Sequence, residues 1–215
     1  MPLKVDLHVH TCYSADCVTT LKEVVAYSKK RGLDGVAITD HDILKGAAIL
    51  AKRHELLIIP GVEVTTKRGH VLALGITTPV FPNSNPSETT QQIQESGGIA
   101  IAAHPIALLK GMEPRTLLTS RFDAIEVINS VAFPFHFSVY MGRKLATQLG
   151  LPQVAGSDSH YAPEIGGAYT LIEADPQVDD VIHAIKKGAT APFGKPIPWK
   201  VRPRGRAFKL KRKYE

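Results

Sequence analysis

The segment KVDLHVHTCYSAD, residues 4–16, alternates apolar and ionisable side chains before it turns polar. Successive side chains of a β-strand point to opposite faces, so this pattern predicts a strand with one apolar and one ionisable face. The ionisable face carries Asp6, His8 and His10. By itself the pattern is equally typical of an antiparallel strand with its polar face in water and of a functional site. The rest of the chain has to decide between the two.

Length and composition indicate one α/β domain. The chain has 215 residues, of which 44% are hydrophobic, and this is enough to bury one substantial core. Its two cysteines, Cys12 and Cys17, form neither a disulfide framework nor a C-x-x-C motif, which favours a reducing compartment. No apolar run has transmembrane length, and the N-terminus lacks a signal-peptide pattern. We therefore expect a cytoplasmic protein with no membrane partner.

The basic charge is concentrated at the C-terminus. Residues 200–215 carry a net charge of +7, whereas the whole chain carries +6, so residues 1–199 carry −1. Such a tail can attract nucleic acid or another polyanion, but it is equally compatible with a solvated terminus or an added edge strand. We predict a folded domain over residues 1–195 and a basic tail over residues 196–215.

Apolar runs and helical patterns alternate along the chain, and this order predicts parallel strands joined by helices, in a barrel or an open sheet. The Pro-rich stretch of residues 192–203 is expected to end the regular domain. The segments with strand character include GVAIT, LLIIPGVEVT, HVLALG, IAIAA, DAIEVI, QVAGS and AYTLIEA. The segments with helical character include TTLKEVVAYSKKRG, ILKGAAILAKRH, SETTQQIQESGG, FSVYMGRKLATQLG and VDDVIHAIKKG.

Ionisable residues recur where these strands end. In parallel α/β folds the carboxyl ends of the strands meet at one rim, where active sites are assembled. Imidazole and carboxylate groups together are typical ligands of Zn, Mn or Fe. Five such clusters at successive strands are better explained by a metal site than by strand faces in contact with solvent. The clusters are His8 with His10, Asp40 with His41, Glu63, His104, and Asp158 with His160.

The motifs DLHVHTCYSAD, AITDHD, IPGVE, AAHP and GSDSH, in this order, resemble those of the PHP (polymerase and histidinol phosphatase) domain. The resemblance extends to about residue 195. It implies a single-domain, distorted (β/α)7 TIM-like barrel that holds, in most relatives, three divalent metals (Mn, Fe or Zn) at its carboxyl rim. Most characterised members of the family hydrolyse phosphate esters.

The resemblance also implies a set of ligands for each metal. The first metal would be held by His8, His10, Glu63 and Asp158. Glu63 would bridge to a second metal, whose other ligands would be His104 and, by a weaker match, His70. The third metal would be held by Asp16, His41 and His160.

The resemblance implies a metal-dependent phosphoesterase that attacks a phosphate mono- or diester with a metal-bridging hydroxide. Glu63, Asp158 and His160 are the expected catalytic residues. Asn129 and Arg143 are candidate substrate ligands. Asp6 could orient a histidine or accept backbone hydrogen bonds, while Asp40 and Asp42 could orient His41 or cap the next helix. The expected substrate is a phosphorylated small molecule or nucleotide.

Three other functions stay open. The chain could be an RNA- or DNA-binding PHP-like protein, such as a scaffold resembling a ribonuclease P subunit. It could be a nuclease, which shares the chemistry but needs a groove for a strand. It could also be an amidohydrolase that acts on a carbonyl. The basic tail favours the first two, and the apparently complete ligand set favours an enzyme.

Overall fold

A computed structural model of the protein describes residues 1–52, 56–108, 111–198 and 201. The strands are β1 (Leu3–Val9), β2 (Gly35–Ile38), β3 (Leu57–Thr66), β4 (Gly69–Leu74), β5 (Ile99–Ala102), β6 (Ala124–Asn129), β7 (Gln153–Gly156), β8 (Ala168–Ile172) and β9 (Thr190–Gly194). The helices are α1 (Leu21–Lys30), α2 (Lys45–Leu50), α3 (Pro86–Glu95), α4 (Pro114–Thr119), α5 (Phe135–Leu149) and α6 (Val178–Lys186), with a short 3₁₀ turn at Ala162–Glu164.

The nine described strands form one sheet in the order β7-β6-β5-β4-β3-β2-β1-β8-β9. The sheet curves until its ends meet, and the result is a nearly closed barrel. On β8 the Thr170 hydroxyl bonds both the N–H and the C=O of Ala155 on β7, at 2.9 and 3.0 Å. Beyond β7, Asp158 N–H donates to the carbonyl of His8 at 2.8 Å, which joins the end of β7 to β1. The predicted barrel of a single α/β domain is confirmed.

The expectation of parallel strands throughout is wrong. Neighbours β1/β2, β2/β3, β5/β6 and β6/β7 are parallel, whereas β3/β4, β4/β5, β1/β8 and β8/β9 are antiparallel. The reversal at β4 has a simple cause, because only residues 67–68 separate β3 from β4. A connection of two residues makes a hairpin, while a parallel crossover needs a dozen residues or more. The last described strand, β9, ends at Gly194 inside the Pro-rich stretch of residues 192–203, and Pro192 lies in this edge strand, where a missing N–H is tolerated.

Apolar side chains of the helices pack against those of the strands and hold the sheet in place. Helix α1 begins at a capping box between Thr20 and Glu23 and packs Val24 in a cluster with Val9 and Ile38. Helix α6 contributes another buried cluster together with strands β1, β3, β4 and β5. The ionisable side chains of β1 are buried as well, because Asp6, His8 and His10 are each 0% exposed. A water-facing strand is therefore excluded for residues 4–16.

None of the helices within the described residues is both long and apolar enough to cross a bilayer. Of the basic tail, the structure describes only residues 196–198 and 201. The predicted edge strand of the tail lies outside the described residues, and the division at residue 195 stays a prediction.

Candidate metal centre

The site is built around the carboxylate of Glu63, which β3 carries into a buried position at the rim. Its Oε1 lies 2.9 Å from His104 Nε2 and 3.0 Å from His70 Nδ1. Its Oε2 lies 3.1 Å from His10 Nε2, 3.2 Å from His41 Nδ1 and 3.3 Å from His8 Nε2. One carboxylate, 1% exposed, therefore has five imidazole nitrogens within 3.3 Å.

A second carboxylate, that of Asp158, closes the cluster from the end of β7. Its Oδ1 lies 3.3 Å from His10 Nε2 and 3.5 Å from His8 Nε2. The two Nε2 atoms are themselves 3.1 Å apart. Asp158 adopts a φ of +53° and His104 a φ of +31°, which non-glycine residues rarely adopt and which are common at functional sites. The backbone is held in these conformations where it aims the two side chains into the cluster.

Next to the buried contacts of Glu63 and Asp158, a more exposed part of the site is formed by Asp16, His41 and His160. Asp16 Oδ2 lies 3.0 Å from His160 Nε2 and 3.7 Å from His41 Nε2. The rings of His10 and His160 stack with centroids 4.1 Å apart, which connects this part to the buried cluster. Asp16 is 39% exposed, and the side chains of His41 and His160 are 21% and 24% exposed. Solvent can therefore reach the cluster from this side.

The donor atoms are arranged as ligands of cations. Glu63 Oε2, His70 Nδ1 and His160 Nε2 are buried and have close oppositely charged neighbours, yet none makes a hydrogen bond of acceptable geometry. Buried polar atoms are nearly always paired, and a bound ion is one explanation for those that are not. Imidazole and carboxylate groups suit Zn, Mn and Fe. Three groups have ligand atoms within 4.8 Å of one another: His8, His10, Glu63 and Asp158; Glu63, His70 and His104; and His10, His41 and His160.

The carboxylates of the cluster are ionised. Burial alone would raise the pKa of Glu63, but His8 and the bonds from neighbouring imidazoles hold it well below its usual range. The same balance, with His8 and His10 as partners, keeps the pKa of Asp158 well below its usual range. Two buried negative charges therefore coincide at the point where the imidazoles converge, which is the electrostatic environment that a divalent cation requires.

The pKa values of two imidazoles, those of His160 and His41, are shifted in opposite directions. Burial would lower the pKa of His160, but the close contact with the Asp16 carboxylate and the charge of Asp158 raise it to about 9. For His41 burial dominates, and neighbouring His10 adds to it, so its pKa falls to about 4 despite Glu63. At neutral pH and without metal, His160 carries a proton that a cation has to displace, whereas His41 is already neutral.

A carboxylate that the sequence analysis missed supports the ligands from behind. Glu126, on β6 and 3% exposed, accepts from His8 Nδ1 at 3.0 Å through Oε1. Its Oε2 accepts from the backbone N–H of His104 at 2.7 Å. Burial would lower the pKa of His8, but Asp158, Glu126 and Glu63 raise it well above its usual range. A cation at Nε2 would displace one proton, and the bond to Glu126 would keep the other on Nδ1. Gly156 makes room for the pair, because a Cβ there would lie 2.3 Å from His8 Cβ and 2.9 Å from Glu126 Oε1.

Asp40 and Ser14 support His10 in the same way. Asp40 Oδ1 accepts from the Ser14 hydroxyl at 3.0 Å and from Thr11 N–H at 2.6 Å. Ser14 Oγ in turn lies 3.1 Å from His10 Nδ1. Asp40 therefore orients a ligand, although through Ser14 to His10 and not directly to His41. Asp42 accepts from Thr65 N–H at 2.7 Å and does not cap α2, whose N-cap has no side-chain bond.

Two of the predicted roles change. Asn129, 3% exposed, donates from Nδ2 to Glu126 and Asp158 and accepts at Oδ1 from Val131 N–H and Ala132 N–H. Its amide is fully used within the protein, so it positions Asp158 and is not free to bind substrate. Arg143 lies on the outer face of α5, where its guanidinium donates to the Pro192 carbonyl at 3.3 Å. This placement argues against a role for Arg143 in binding substrate.

Asp6 shares a strand face with the ligands but bonds to backbone. Its Oδ1 accepts from Ser157 N–H at 2.8 Å and His8 N–H at 3.3 Å, and its Oδ2 accepts from Gly166 N–H at 2.8 Å. Burial raises its pKa to about 6.

The structure brings together all nine residues predicted as ligands: His8, His10, Asp16, His41, Glu63, His70, His104, Asp158 and His160.

Comparison with known proteins identifies the family. Residues 140–190, which include Asp158 and His160, match the family model PHP_C, described as PHP-associated. An uncharacterised protein of Methanocaldococcus jannaschii is 32% identical over 142 residues, which are 60% of this chain and 82% of that protein. A protein of Shewanella sp. strain ANA-3, named a probable phosphatase, is 26% identical over 216 residues, covering 81% of this chain and 84% of the relative. The chain belongs to the PHP family.

The PHP barrel is also found among solved structures. A two-domain protein of Bacteroides vulgatus, described as containing a predicted PHP-like metal-dependent phosphoesterase, matches with a TM-score of 0.76 at 17% identity. The match covers 91% of this PHP chain and 65% of that one, so this chain corresponds to less than two thirds of the larger protein.

Proposed function

We propose that the protein is a metal-dependent phosphoesterase that hydrolyses a phosphate mono- or diester. The observation that carries the proposal is the convergence of five imidazole nitrogens on the buried carboxylate of Glu63. Two of the atoms in these contacts, Glu63 Oε2 and His70 Nδ1, make no hydrogen bond. The names of the Shewanella relative, a probable phosphatase, and of the Bacteroides structure support the same activity.

The ligand groups fit up to three divalent cations, for which Mn, Fe and Zn are the candidates. The first would be held by His8, His10, Glu63 and Asp158. The second would be held by Glu63, His70 and His104. The third would be held by Asp16, His41 and His160. Glu63 would bridge the first two cations, because its two carboxylate oxygens face different imidazoles.

Phosphate esters resist hydrolysis because their anionic oxygens repel an attacking hydroxide. Divalent cations, when bound, neutralise those oxygens and lower the pKa of water. The protein's own residues make the site able to hold such cations near neutral pH. Glu63 and Asp158 stay ionised, Glu126 keeps the Nε2 lone pair of His8 directed inward, and Asn129 fixes Asp158. Asp16, His41 and His160 form the open side by which a phosphoryl group enters.

The proposed catalytic set is Glu63, Asp158 and His160. Glu63 and Asp158 supply the negative charge that holds cations at the centre of the cluster. His160 belongs to the exposed side, where its ring stacks on His10 and its Nε2 lies 3.0 Å from Asp16 Oδ2, so we place it where the substrate phosphate meets the cluster. The proposed substrate is a phosphorylated small molecule or nucleotide.

Ester hydrolysis by metal-stripped and reloaded protein tests the proposal. With added Mn, the wild-type chain should hydrolyse p-nitrophenyl phosphate or bis-p-nitrophenyl phosphate, and a chelator should stop turnover. Asp158→Ala should abolish this turnover, while Asp179→Ala, which removes an exposed carboxylate on α6, should leave it unchanged. Turnover that persists in the chelator, or in Asp158→Ala, would contradict the proposal.

A nucleic-acid substrate is the second candidate, and the net charge of +7 over residues 200–215 favours it. A basic tail strengthens binding to phosphodiester chains in a salt-dependent way. Removal of residues 202–215 should therefore eliminate salt-sensitive binding of an oligonucleotide and leave p-nitrophenyl phosphate turnover intact. Oligonucleotide binding that is unchanged by the truncation would exclude the tail from this role.

A further inference from the structure

A small cavity lies directly behind His104, between the ends of β5 and β6 and the first turn of α5. Its volume is about 10 Å³. One water molecule needs roughly 10–15 Å³ measured in this way, together with two to four polar partners. The polar residues that line the cavity are His104, Glu126, Asn129 and Ser138, and the remaining lining is aliphatic.

Two polar atoms of these lining residues have no hydrogen-bond partner within the described part of the chain. They are His104 Nδ1 and Ser138 Oγ. The two residues are only 4% and 6% exposed, so bulk water does not satisfy them. Buried polar atoms are nearly always paired, and ordered water commonly supplies the missing partner. Both residues line the cavity, and its volume is at the lower limit of what one water needs.

Other imidazoles of the cluster show what such a partner does. The Nδ1 atoms of His8, His10 and His160 are held by Glu126 Oε1 at 3.0 Å, Ser14 Oγ at 3.1 Å and the Asp158 carbonyl at 3.0 Å. In each of these residues Nε2 faces the carboxylates of the cluster. His104 has the same orientation, with Nε2 2.9 Å from Glu63 Oε1, but no described protein atom holds its Nδ1.

We propose that one ordered water occupies this cavity, accepts the hydrogen bond of His104 Nδ1–H and bonds to Ser138 Oγ. Ser138 is then a positioning residue, which acts on His104 through the water. The water keeps the proton of His104 on Nδ1 and leaves the Nε2 lone pair for a cation beside Glu63. This inference rests on the proposed function, because it assumes that His104, His70 and Glu63 hold a divalent cation.

The test compares Ser138→Ala with a matched control, Ser28→Ala. Ser28 on α1 is also fully buried, and its hydroxyl also lacks a partner, but it lies in the outer layer away from the cluster. Both changes remove one buried hydroxyl from a helix. Two measurements follow: high-resolution crystal density at the cavity, and Zn²⁺ affinity by chelator competition.

In the wild type we expect density for one water in the cavity. Ser138→Ala should weaken one of the Zn²⁺ equivalents by about 10–100-fold, the usual cost of losing an outer-shell partner, and leave the others unchanged. Ser28→Ala should behave as wild type. A wild-type cavity without water, or a Ser138→Ala protein with unchanged Zn²⁺ affinity, would overturn the inference.

The outcomes separate this inference from the proposed function. If the wild-type protein binds no Zn²⁺ or Mn²⁺, the proposed function fails. The density in the cavity still decides whether the water is present. If the wild type binds metal and Ser138→Ala binds it equally well, only the inference fails.

Discussion

Replacing Glu126 with Gln should reverse the tautomer of His8. The two oxygens of Glu126 face different donors: Oε1 faces His8 Nδ1 at 3.0 Å, and Oε2 accepts from His104 N–H at 2.7 Å and from Asn129 Nδ2 at 3.1 Å. A Gln at this position has one carbonyl oxygen. Because two donors face Oε2, the carbonyl should take that side, and the amide NH₂ should then point at His8 Nδ1.

An NH₂ group that donates to Nδ1 requires Nδ1 to be an acceptor, so the proton of His8 moves to Nε2. Protonated Nε2 has no lone pair for a metal. Loss of an outer-shell partner usually costs 10–100-fold in metal affinity, which corresponds to about 1.4–2.8 kcal/mol. We expect Glu126→Gln to reach at least the upper part of this range, since it misdirects the proton in addition to removing a charge.

The assay is Zn²⁺ affinity by chelator competition, combined with the ¹⁵N chemical shifts of His8. Glu173→Gln, an exposed Glu just beyond β8, is the matched control and should bind Zn²⁺ as wild type does. Circular dichroism of both variants shows whether the barrel is intact. A folded Glu126→Gln protein that binds every Zn²⁺ equivalent as tightly as wild type, with the His8 proton still on Nδ1, would refute the reasoning.

Three further predictions follow from the contacts. Because the pKa of His160 is raised to about 9, cation binding at pH 7 should release a proton, and affinity should rise as the pH increases towards 9; calorimetry in buffers of different ionisation enthalpy measures this, and a buffer-independent heat would contradict it. Gly156→Ala should lower the free energy of unfolding in urea by about 1–3 kcal/mol and weaken metal binding, because the new Cβ would overlap His8 Cβ. An unchanged free energy of unfolding would contradict this prediction. Arg143→Ala should leave ester turnover and KM unchanged, and a raised KM would restore Arg143 to the substrate site.

Sequence periodicity was sufficient for the ligands on β1 and for the general architecture. His8 and His10 alternate with apolar residues on one strand, and polar residues follow most other strands, so their convergence follows from the geometry of a barrel rim. The resemblance to the PHP family then grouped these residues into ligand sets. The structure brings ligand atoms of the first two sets within 4.8 Å of one another, and its third such group has His10 in the place of Asp16.

What the sequence did not reveal depends on contacts between distant residues. Glu126 and His8 are 118 positions apart, and the segment DAIEVI reads as an ordinary buried strand. A lone carboxylate inside such an apolar run is the signal that could have identified Glu126, because an unpaired buried charge is too costly to be retained. Arg143 was chosen for its chemistry alone, and helix periodicity could not show that its face of α5 points towards β9.

The strand directions were misjudged for a related reason. Alternating strand and helix patterns favour parallel pairing, but the direction of β4 is decided by the two-residue connection after Thr66. Strand β9 was missed because Pro192 reads as a strand breaker, whereas an edge strand tolerates it.

The most direct test of the account is anomalous X-ray diffraction at the manganese edge from crystals of the Mn-loaded protein. The account predicts anomalous peaks beside Glu63, one within ligand distance of His8, His10 and Asp158 and one within ligand distance of His70 and His104, with a third near Asp16, His41 and His160. A well-ordered crystal of active protein with no anomalous peak at these residues would contradict it.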